Sequence, residues 1–242
     1  MINIVIPMAG HGSRFSKAGY KDPKPLISVN GKPMIQLVIE NLKPSREHRF
    51  IFICQGEHLK NYPLRTLLEE TAPGCKIIEV NQVTEGSACT VLLAKDYINN
   101  QDQLMIANCD QYLDVDMDEY LAILDDPSAD ALIMTMKADN NKWSFIKLNE
   151  KNEITLVVEK EVVSDEATVG IYNYQKGSYF VHAAEQMIMK EFRVNNEFYV
   201  APAYNEIIRD GKKIKYFNIG ELGHGMHGLG TPEDLEIYLK RT

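Results

Sequence analysis

The feature that most constrains this chain is an alternation in its first 110 residues. Short apolar runs at 2–7, 49–54, 76–80 and 103–107 are unbroken rather than alternately polar and apolar. A strand reads this way when both of its faces are buried. Helical patterns lie between the runs. Pro33 opens one that sets Ile35, Val38, Ile39 and Leu42 on a single face. A second covers 57–71 with an interruption near Pro63, and a third spans 86–98. Strand–helix–strand alternation requires right-handed crossovers and a parallel arrangement. The fold class is α/β, with a mostly parallel, Rossmann-like central sheet flanked by helices.

After Asp110 the pattern changes. Residues 129–138, 143–148, 154–159 and 167–174 are strand-like, with little room for helices between them. They predict additional antiparallel strands in the second half. Helices follow near 177–190 and 200–210, and then a strand at 213–217. Thr231-Pro232-Glu233-Asp234 starts a last helix, with a capping hydroxyl, proline in the first turn and acids at the positive end of the dipole. No Pro/Gly/Ser-rich linker divides the chain, so residues 1–242 read as a single domain.

Lys and Arg total 26 against 34 Asp and Glu, a formal net charge of -8. That balance argues against a nucleic-acid partner, which needs a basic face. It leaves room for a small basic pocket. No secretory signal opens the chain, and no run approaches the roughly 20 apolar residues of a membrane span. The expectation is a cytoplasmic protein with no membrane partner. Cys54, Cys75, Cys89 and Cys109 form no Cys-x-x-Cys pair and read as reduced thiols, with Cys54 and Cys109 ending apolar runs.

The densest chemistry follows the first strand: Met8-Ala9-Gly10-His11-Gly12-Ser13-Arg14-Phe15, then Pro23-Lys24-Pro25. Ligands of open α/β sheets sit beyond the carboxyl ends of the strands. Small residues there let backbone N–H groups approach phosphates, and Arg14 and Lys24 add two cations. A dinucleotide fingerprint would need glycine where Phe15 stands, and no Walker A run exists. A plain strand-to-loop turn would explain Gly-x-Gly but not the full set.

The loop resembles that of the sugar-phosphate nucleotidyltransferases. The resemblance continues through Gly31-Lys32-Pro33-Met34, Glu85-Gly86-Ser87-Ala88, Asn108-Cys109-Asp110, Glu159-Lys160 and Gly230-Thr231-Pro232-Glu233-Asp234-Leu235, in order over nearly the whole chain. It implies a GT-A-like fold and transfer of a nucleoside monophosphate from a triphosphate, CTP favoured, to a small phosphorylated acceptor, a phosphoglutamine or a sugar phosphate. Pyrophosphate leaves. An ionised phosphate nucleophile needs no general base, so catalysis rests on positioning and charge stabilisation.

By this resemblance Arg14, Lys24 and Lys160 are catalytic. Met8, Ala9, Gly10, Gly12, Ser13, Gln82, Glu85, Gly86 and Ser87 bind the nucleotide, making residues 1–110 its half of the domain. Glu159, Lys160, Gly170, Glu197 and Tyr199 bind the acceptor in residues 111–242, with Asn205 and Thr168 as further lining. Asp110, ending an apolar strand, would hold Mg²⁺, which favours oxygen ligands and triphosphate. The size and motifs resemble small nucleotidyltransferases of bacterial capsule and surface-polysaccharide pathways, and allow a homodimer.

One departure stands out. Many members carry a second metal-binding Asp shortly before the last helix, and here Gly228 takes that position. Water, Glu221, Asp114 or a phosphate would supply the second ligand. His224 and His227 suit packing or substrate contact better than Mg²⁺, and His11 reads as a spacer or base neighbour. Two other readings stay open. A glycosyltransferase would use Asp114-Val115-Asp116 or Asp116-Met117-Asp118 as an Asp-x-Asp metal site. A non-catalytic nucleotide-binding module could dispense with the second Asp.

Overall fold

The computed structural model of the chain describes residues 1–10 and 12–241, and His11 lies outside the described residues. In chain order the first half runs β1 (Ile2–Met8), α1 (Ser13–Lys17), the two-residue strands β2 (Ser28–Val29) and β3 (Lys32–Pro33), and α2 (Met34–Leu42). It continues with β4 (His48–Gln55), α3 (Gly56–Asn61), α4 (Leu64–Thr71), β5 (Lys76–Val80), α5 (Ser87–Leu92), α6 (Lys95–Ile98) and β6 (Gln103–Ala107). The second half begins with β7 (Gln111–Leu113), α7 (Met117–Ala122), β8 (Ala131–Lys137), β9 (Ser144–Leu148), β10 (Ile154–Glu159) and β11 (Glu166–Tyr174). It ends with α8 (Gly177–Met189), α9 (Tyr204–Arg209), β12 (Ile214–Leu222), β13 (Gly225–Gly228) and α10 (Pro232–Leu239).

The main sheet has the order β5-β4-β1-β6-β11-β8-β12-β13-β7, with the β9–β10 hairpin attached at β11. Strands β5, β4, β1 and β6 are mutually parallel. Strand β11 runs antiparallel to both β6 and β8, while β12 is parallel to β8. The start of β11 therefore lies beside the end of β6, where the Asn108 amide donates to the Gly170 carbonyl at 3.2 Å. Both halves of the chain meet at this point.

The unbroken apolar runs have the cause expected of them. Ile2, Ile4, Ile6 and Met8 of β1 join Phe50, Phe52 and Cys54 of β4 in one core, under α2, α4 and α7. Val5, Ile51 and Ile53 point to the opposite core, under α5, α8 and α9. Apolar residues thus stand on both faces of these strands because each face meets a helical layer, and the polar exceptions Asn3 and Arg49 bond each other across β1 and β4.

A third, smaller core gathers Phe15, Ile27, Val29, Met34, Leu229, Leu235 and Tyr238. It fastens the loop after β1 to the last helix. The expected 86–98 helix is broken into α5 and α6 at Leu93–Ala94, and β12 extends well beyond 217. Strands β7 and β13 were not anticipated, because three and four residues rich in glycine or polar groups carry no apolar run.

Candidate active site

Beyond β1 the chain turns over the carboxyl end of the sheet. The Gln55 side chain donates to the Ala9 carbonyl at 2.6 Å and fixes the start of the turn. Gly12 has φ of +59°, a left-handed conformation that favours glycine, and this lets α1 begin at Ser13. Phe15 faces inward and is buried, which leaves its neighbours Ser13 and Arg14 exposed above the sheet. The residue that excludes a dinucleotide fingerprint is therefore the anchor of the loop.

Lys24 comes from the opposite wall, on a short turn of 3-10 helix in which Pro25 is buried. Its Nζ donates to Asp110 Oδ2 at 2.7 Å. Burial disfavours the ammonium, but the Asp110 carboxylate outweighs that and holds the Lys24 pKa above its usual value. Gly230 closes over the same carboxylate, since a Cβ there would stand 2.5 Å from Asp110 Oδ2. Gly12, Ser13, Arg14, Lys24, Asp110 and Gly230 line one cavity of about 220 Å³. It is a small polar pocket with two cations and one carboxylate, the chemistry a polyphosphate with a divalent cation requires.

A second cavity, of about 290 Å³, opens where β1, β6 and β11 come together. Glu159, Gly170 and Tyr199, expected on the acceptor side, line it together with Thr168, and so does Ser87, expected on the nucleotide side. Lys160 reaches Tyr199, its Nζ donating to the phenol oxygen at 2.7 Å. That bond, more than neighbouring charge, raises the lysine's pKa. Lys160 has φ of +58°, uncommon for a residue with a side chain, and its amide donates to the Trp143 carbonyl at 3.0 Å. Glu159 accepts from Ser144 Oγ, and burial raises its pKa. Lys142, Trp143, Ser144, Asn108 and Tyr172 also line this cavity. Asn108 stands in the Asn108-Cys109-Asp110 motif, but the sequence marks none of the other four as a site residue, where only the uniqueness of Trp143 draws notice.

The loop carrying Gln82 and Glu85 is exposed, and it is tied to the segment around Phe198 by main chain. The Phe198 amide donates to the Glu85 carbonyl at 2.8 Å, and the Ala88 amide donates to the Phe198 carbonyl at 2.9 Å. Gly86, with φ of +133°, is required here, because a Cβ would lie 2.4 Å from the Phe198 carbonyl oxygen. Arg193 stacks 4.0 Å from the centroid of Phe198 and pairs with Glu85 at 2.7 Å. The Glu85 side chain is thus a brace for the loop, and Glu197 is exposed on the bracing segment. The Met8 side chain lies in the core, so only its main chain can face a ligand.

Some expected site residues lie elsewhere. Asn205 does not line the cavity. It is buried against β10, bonding the Val157 amide at 2.8 Å and its carbonyl at 2.7 Å. Asp114 accepts from His227 at 2.6 Å, and Glu221 pairs with His224 at 3.8 Å. Asp116 caps α7, accepting from the amides of Asp118 and Glu119. Both carboxylates of the first Asp-x-Asp pair are therefore engaged in structural bonds. Beside Gly228 stands Asp234, its carboxyl carbon 3.3 Å from where a Cβ would be. Among the described residues no three His, Cys, Asp or Glu side chains cluster as a metal cage. Asp110 alone, with phosphate oxygens and water, fits Mg²⁺, which binds through one or two carboxylates and keeps several waters.

The family described as nucleotidyl transferase matches residues 4–216. The bifunctional protein GlmU of Methanococcus maripaludis is 27% identical over 240 residues, 97% of this chain and 53% of that protein. A 2-aminoethylphosphonate cytidylyltransferase of Lancefieldella rimae is 32% identical over 108 residues, 45% of this chain and 42% of that one. This chain spans about half the length of the curated relatives it matches. A nucleoside-diphosphate-sugar pyrophosphorylase from Vibrio cholerae superposes with a TM-score of 0.83 at 25% identity, covering 98% of this chain and 99% of the other. Among the described residues no helix is long and apolar enough to cross a membrane. With the match extending from the first strand into β12, the chain belongs to the nucleotidyl transferase family, within its sugar-phosphate nucleotidyltransferases.

Proposed function

We propose that the protein transfers a nucleoside monophosphate from a nucleoside triphosphate, CTP favoured, to the phosphate of a small phosphorylated metabolite. The observation that carries this reading is the convergence of Arg14, Lys24 and Asp110 on one cavity beyond β1 and β6. An oxygen of the acceptor phosphate attacks the α-phosphorus. The new O–P bond forms as the bond to the β-phosphate oxygen breaks, and pyrophosphate leaves with that electron pair. No proton need move. The barrier is the approach of two polyanions, and fixed cations lower it without reorganisation.

Arg14 stabilises charge on the α-phosphate and the departing pyrophosphate. Lys24 holds the phosphates from the other wall, exchanging its bond to Asp110 for bonds to them. Asp110 would hold Mg²⁺, which would supply neutralisation of triphosphate charge. The turn from Met8 to Ser13 and the Gln82–Ser87 loop carry the nucleotide. Glu159, Lys160, Gly170, Glu197 and Tyr199 carry the acceptor. The relative named as a cytidylyltransferase supports cytosine. Resemblance to small surface-polysaccharide nucleotidyltransferases supports a cytoplasmic role in supplying capsule precursors, with phosphoglutamine or a sugar phosphate as acceptor.

The test is Mg²⁺-dependent pyrophosphate release with ATP, GTP, CTP, UTP and dTTP against sugar 1-phosphates, small phosphomonoesters and phosphoglutamine. Release confined to CTP and one acceptor class is the expected result. Triphosphate binding with silence in every combination would favour a regulatory module. Absence of triphosphate binding would overturn the reading of the loop.

A further inference from the structure

A third cavity lies at the end of the sheet opposite the Arg14–Lys24 pocket. Strand β12 is parallel to β8, which runs in the same direction as β1 and β6, so the start of β12 lies away from their carboxyl ends. There Gly211-Lys212-Lys213-Ile214-Lys215 meets the turn between β9 and β10, and the two segments enclose about 480 Å³. Among the described residues Lys151, Lys212, Lys213 and Lys215 line this cavity against one acid, Glu153. The chain as a whole has a net charge of -8, so this concentration of cations runs against its composition.

The surroundings neutralise only one of the four. Lys212 Nζ donates to Asp130 Oδ1 and to the Tyr179 hydroxyl, each at 3.1 Å, and Asp130 Oδ2 accepts from the Lys213 amide at 2.9 Å. Among the described residues no carboxylate comes within ion-pair distance of Lys151, Lys213 or Lys215. Asp126 is within electrostatic reach of Lys215 and Lys213, but its two oxygens accept from the Ser128 amide and hydroxyl. Asp210 turns to His182 at 3.4 Å, and Glu153 Oε2 accepts from Asn149 Nδ2 at 2.9 Å. Helix α9 ends beside the cavity, yet its Ile208 and Ile207 carbonyls accept from the Gly211 and Lys212 amides, each at 3.0 Å. Unpaired like charges held together repel, and a bound anion relieves that repulsion.

Both lining segments are fixed before any ligand arrives. Asp130 holds one, and Asn149 Oδ1 holds the other by accepting from the Lys151 and Glu153 amides, each at 2.9 Å. The floor between them is apolar, with Ile154 and Ile214 buried and Ile208 and Tyr216 half-buried. An apolar floor under a cationic rim, in a space of this size, suits a small molecule with an apolar ring and several negative charges.

We propose that this cavity is a further ligand site, separate from both cavities of the proposed reaction, for a small organic phosphate that carries a ring and at least two negative charges. Lys151, Lys213 and Lys215 take the phosphate oxygens, and Ile154, Ile208 and Tyr216 take the ring.

The test is amide chemical-shift mapping of the full chain with ADP in the absence of Mg²⁺. ADP has the ring and the charges but no triphosphate to transfer, and adenosine and inorganic phosphate are the controls that carry one feature each. The expected result is saturable shifts at the amides of residues 151–154 and 211–216, with ADP binding about tenfold or more tighter than either control. Combining Lys213→Gln with Lys215→Gln should weaken ADP by about tenfold, the scale of two partly exposed ion pairs. Amide positions outside the cavity should stay in place and show that the variant is folded. Shifts confined to Gly12, Ser13 and Lys24 would overturn the proposal by assigning the anion to the pocket beyond β1. So would inorganic phosphate binding as tightly as ADP, an affinity that the double variant retains, or no shifts at about 10 mM ligand. This readout involves no turnover, so its outcome is independent of nucleotidyl transfer, which pyrophosphate release reports.

Discussion

The two cavities are held in place by different means. The phosphate pocket stands on main chain and a dedicated core: Gly12 sets the turn, Phe15 is buried beneath it, and Leu229, just before the last helix, and Leu235 within it pack against the same cluster. Its charged groups come from three separated segments, yet each is fixed by its backbone. The acceptor wall is held mainly by side chains bonding one another. Lys160 bonds Tyr199, Glu159 bonds Ser144, Thr168 bonds Tyr172, and Arg193 braces Phe198 and Glu85. A rigid pocket suits an invariant triphosphate. A wall of exchangeable side-chain pairs can be retuned for different acceptors without disturbing the sheet.

That contrast can be broken from either side. Asp110→Asn should have the largest effect, with loss of Mg²⁺-dependent pyrophosphate release to background. Full activity in this variant would remove Asp110 from the metal site. Arg14→Ala should follow, lowering kcat by roughly 10²–10³-fold, the scale for removing one transition-state charge partner. Arg14 is exposed, so thermal unfolding should hardly change. Unchanged turnover would take it out of the mechanism.

Phe15→Ala tests the platform. A buried phenylalanine reduced to alanine costs roughly 3–5 kcal/mol. Denaturant unfolding should show a loss of that order, together with weaker triphosphate binding. Lys160→Ala should raise the acceptor KM by about tenfold and the triphosphate KM far less. Equal effects on both would contradict its place in the acceptor wall. Arg193→Ala should be mildest, because a partly exposed ion pair contributes about 1 kcal/mol or less. Both KM values should rise a few-fold with kcat near wild type, since Glu85 and Phe198 are loosened together.

The same contrast explains what could be read from the sequence. Gly12, Ser13, Arg14, Lys24 and Asp110 stand in short motifs whose spacing the backbone fixes, so the phosphate pocket was legible as a set. The parallel strands were legible because burial on both faces leaves unbroken apolar runs. The acceptor wall was legible only at Glu159, Lys160, Thr168, Gly170 and Tyr199, through the resemblance. Trp143, Ser144 and Tyr172 converge from β9, β11 and the segment before β9, and no local spacing connects them. Asn205 looked like a ligand group because a buried side-chain amide and a pocket amide have the same sequence signature. Only the β10 main chain, which it bonds, reveals its structural role. The short strands β7 and β13 escaped because their pairing is set by the tertiary register of Met226 with Leu113 and Gly228 with Gln111, not by an apolar run.

The most direct test of the proposed reaction is ³¹P NMR of the wild-type chain with CTP, Mg²⁺ and a small phosphorylated acceptor, phosphoglutamine or a sugar 1-phosphate. The expected spectrum loses the triphosphate and acceptor signals and gains pyrophosphate and a diphosphate-linked product in equal amounts. CTP hydrolysed to pyrophosphate and CMP with the acceptor signal intact would contradict nucleotidyl transfer to that acceptor class, and an unchanged spectrum would contradict it equally.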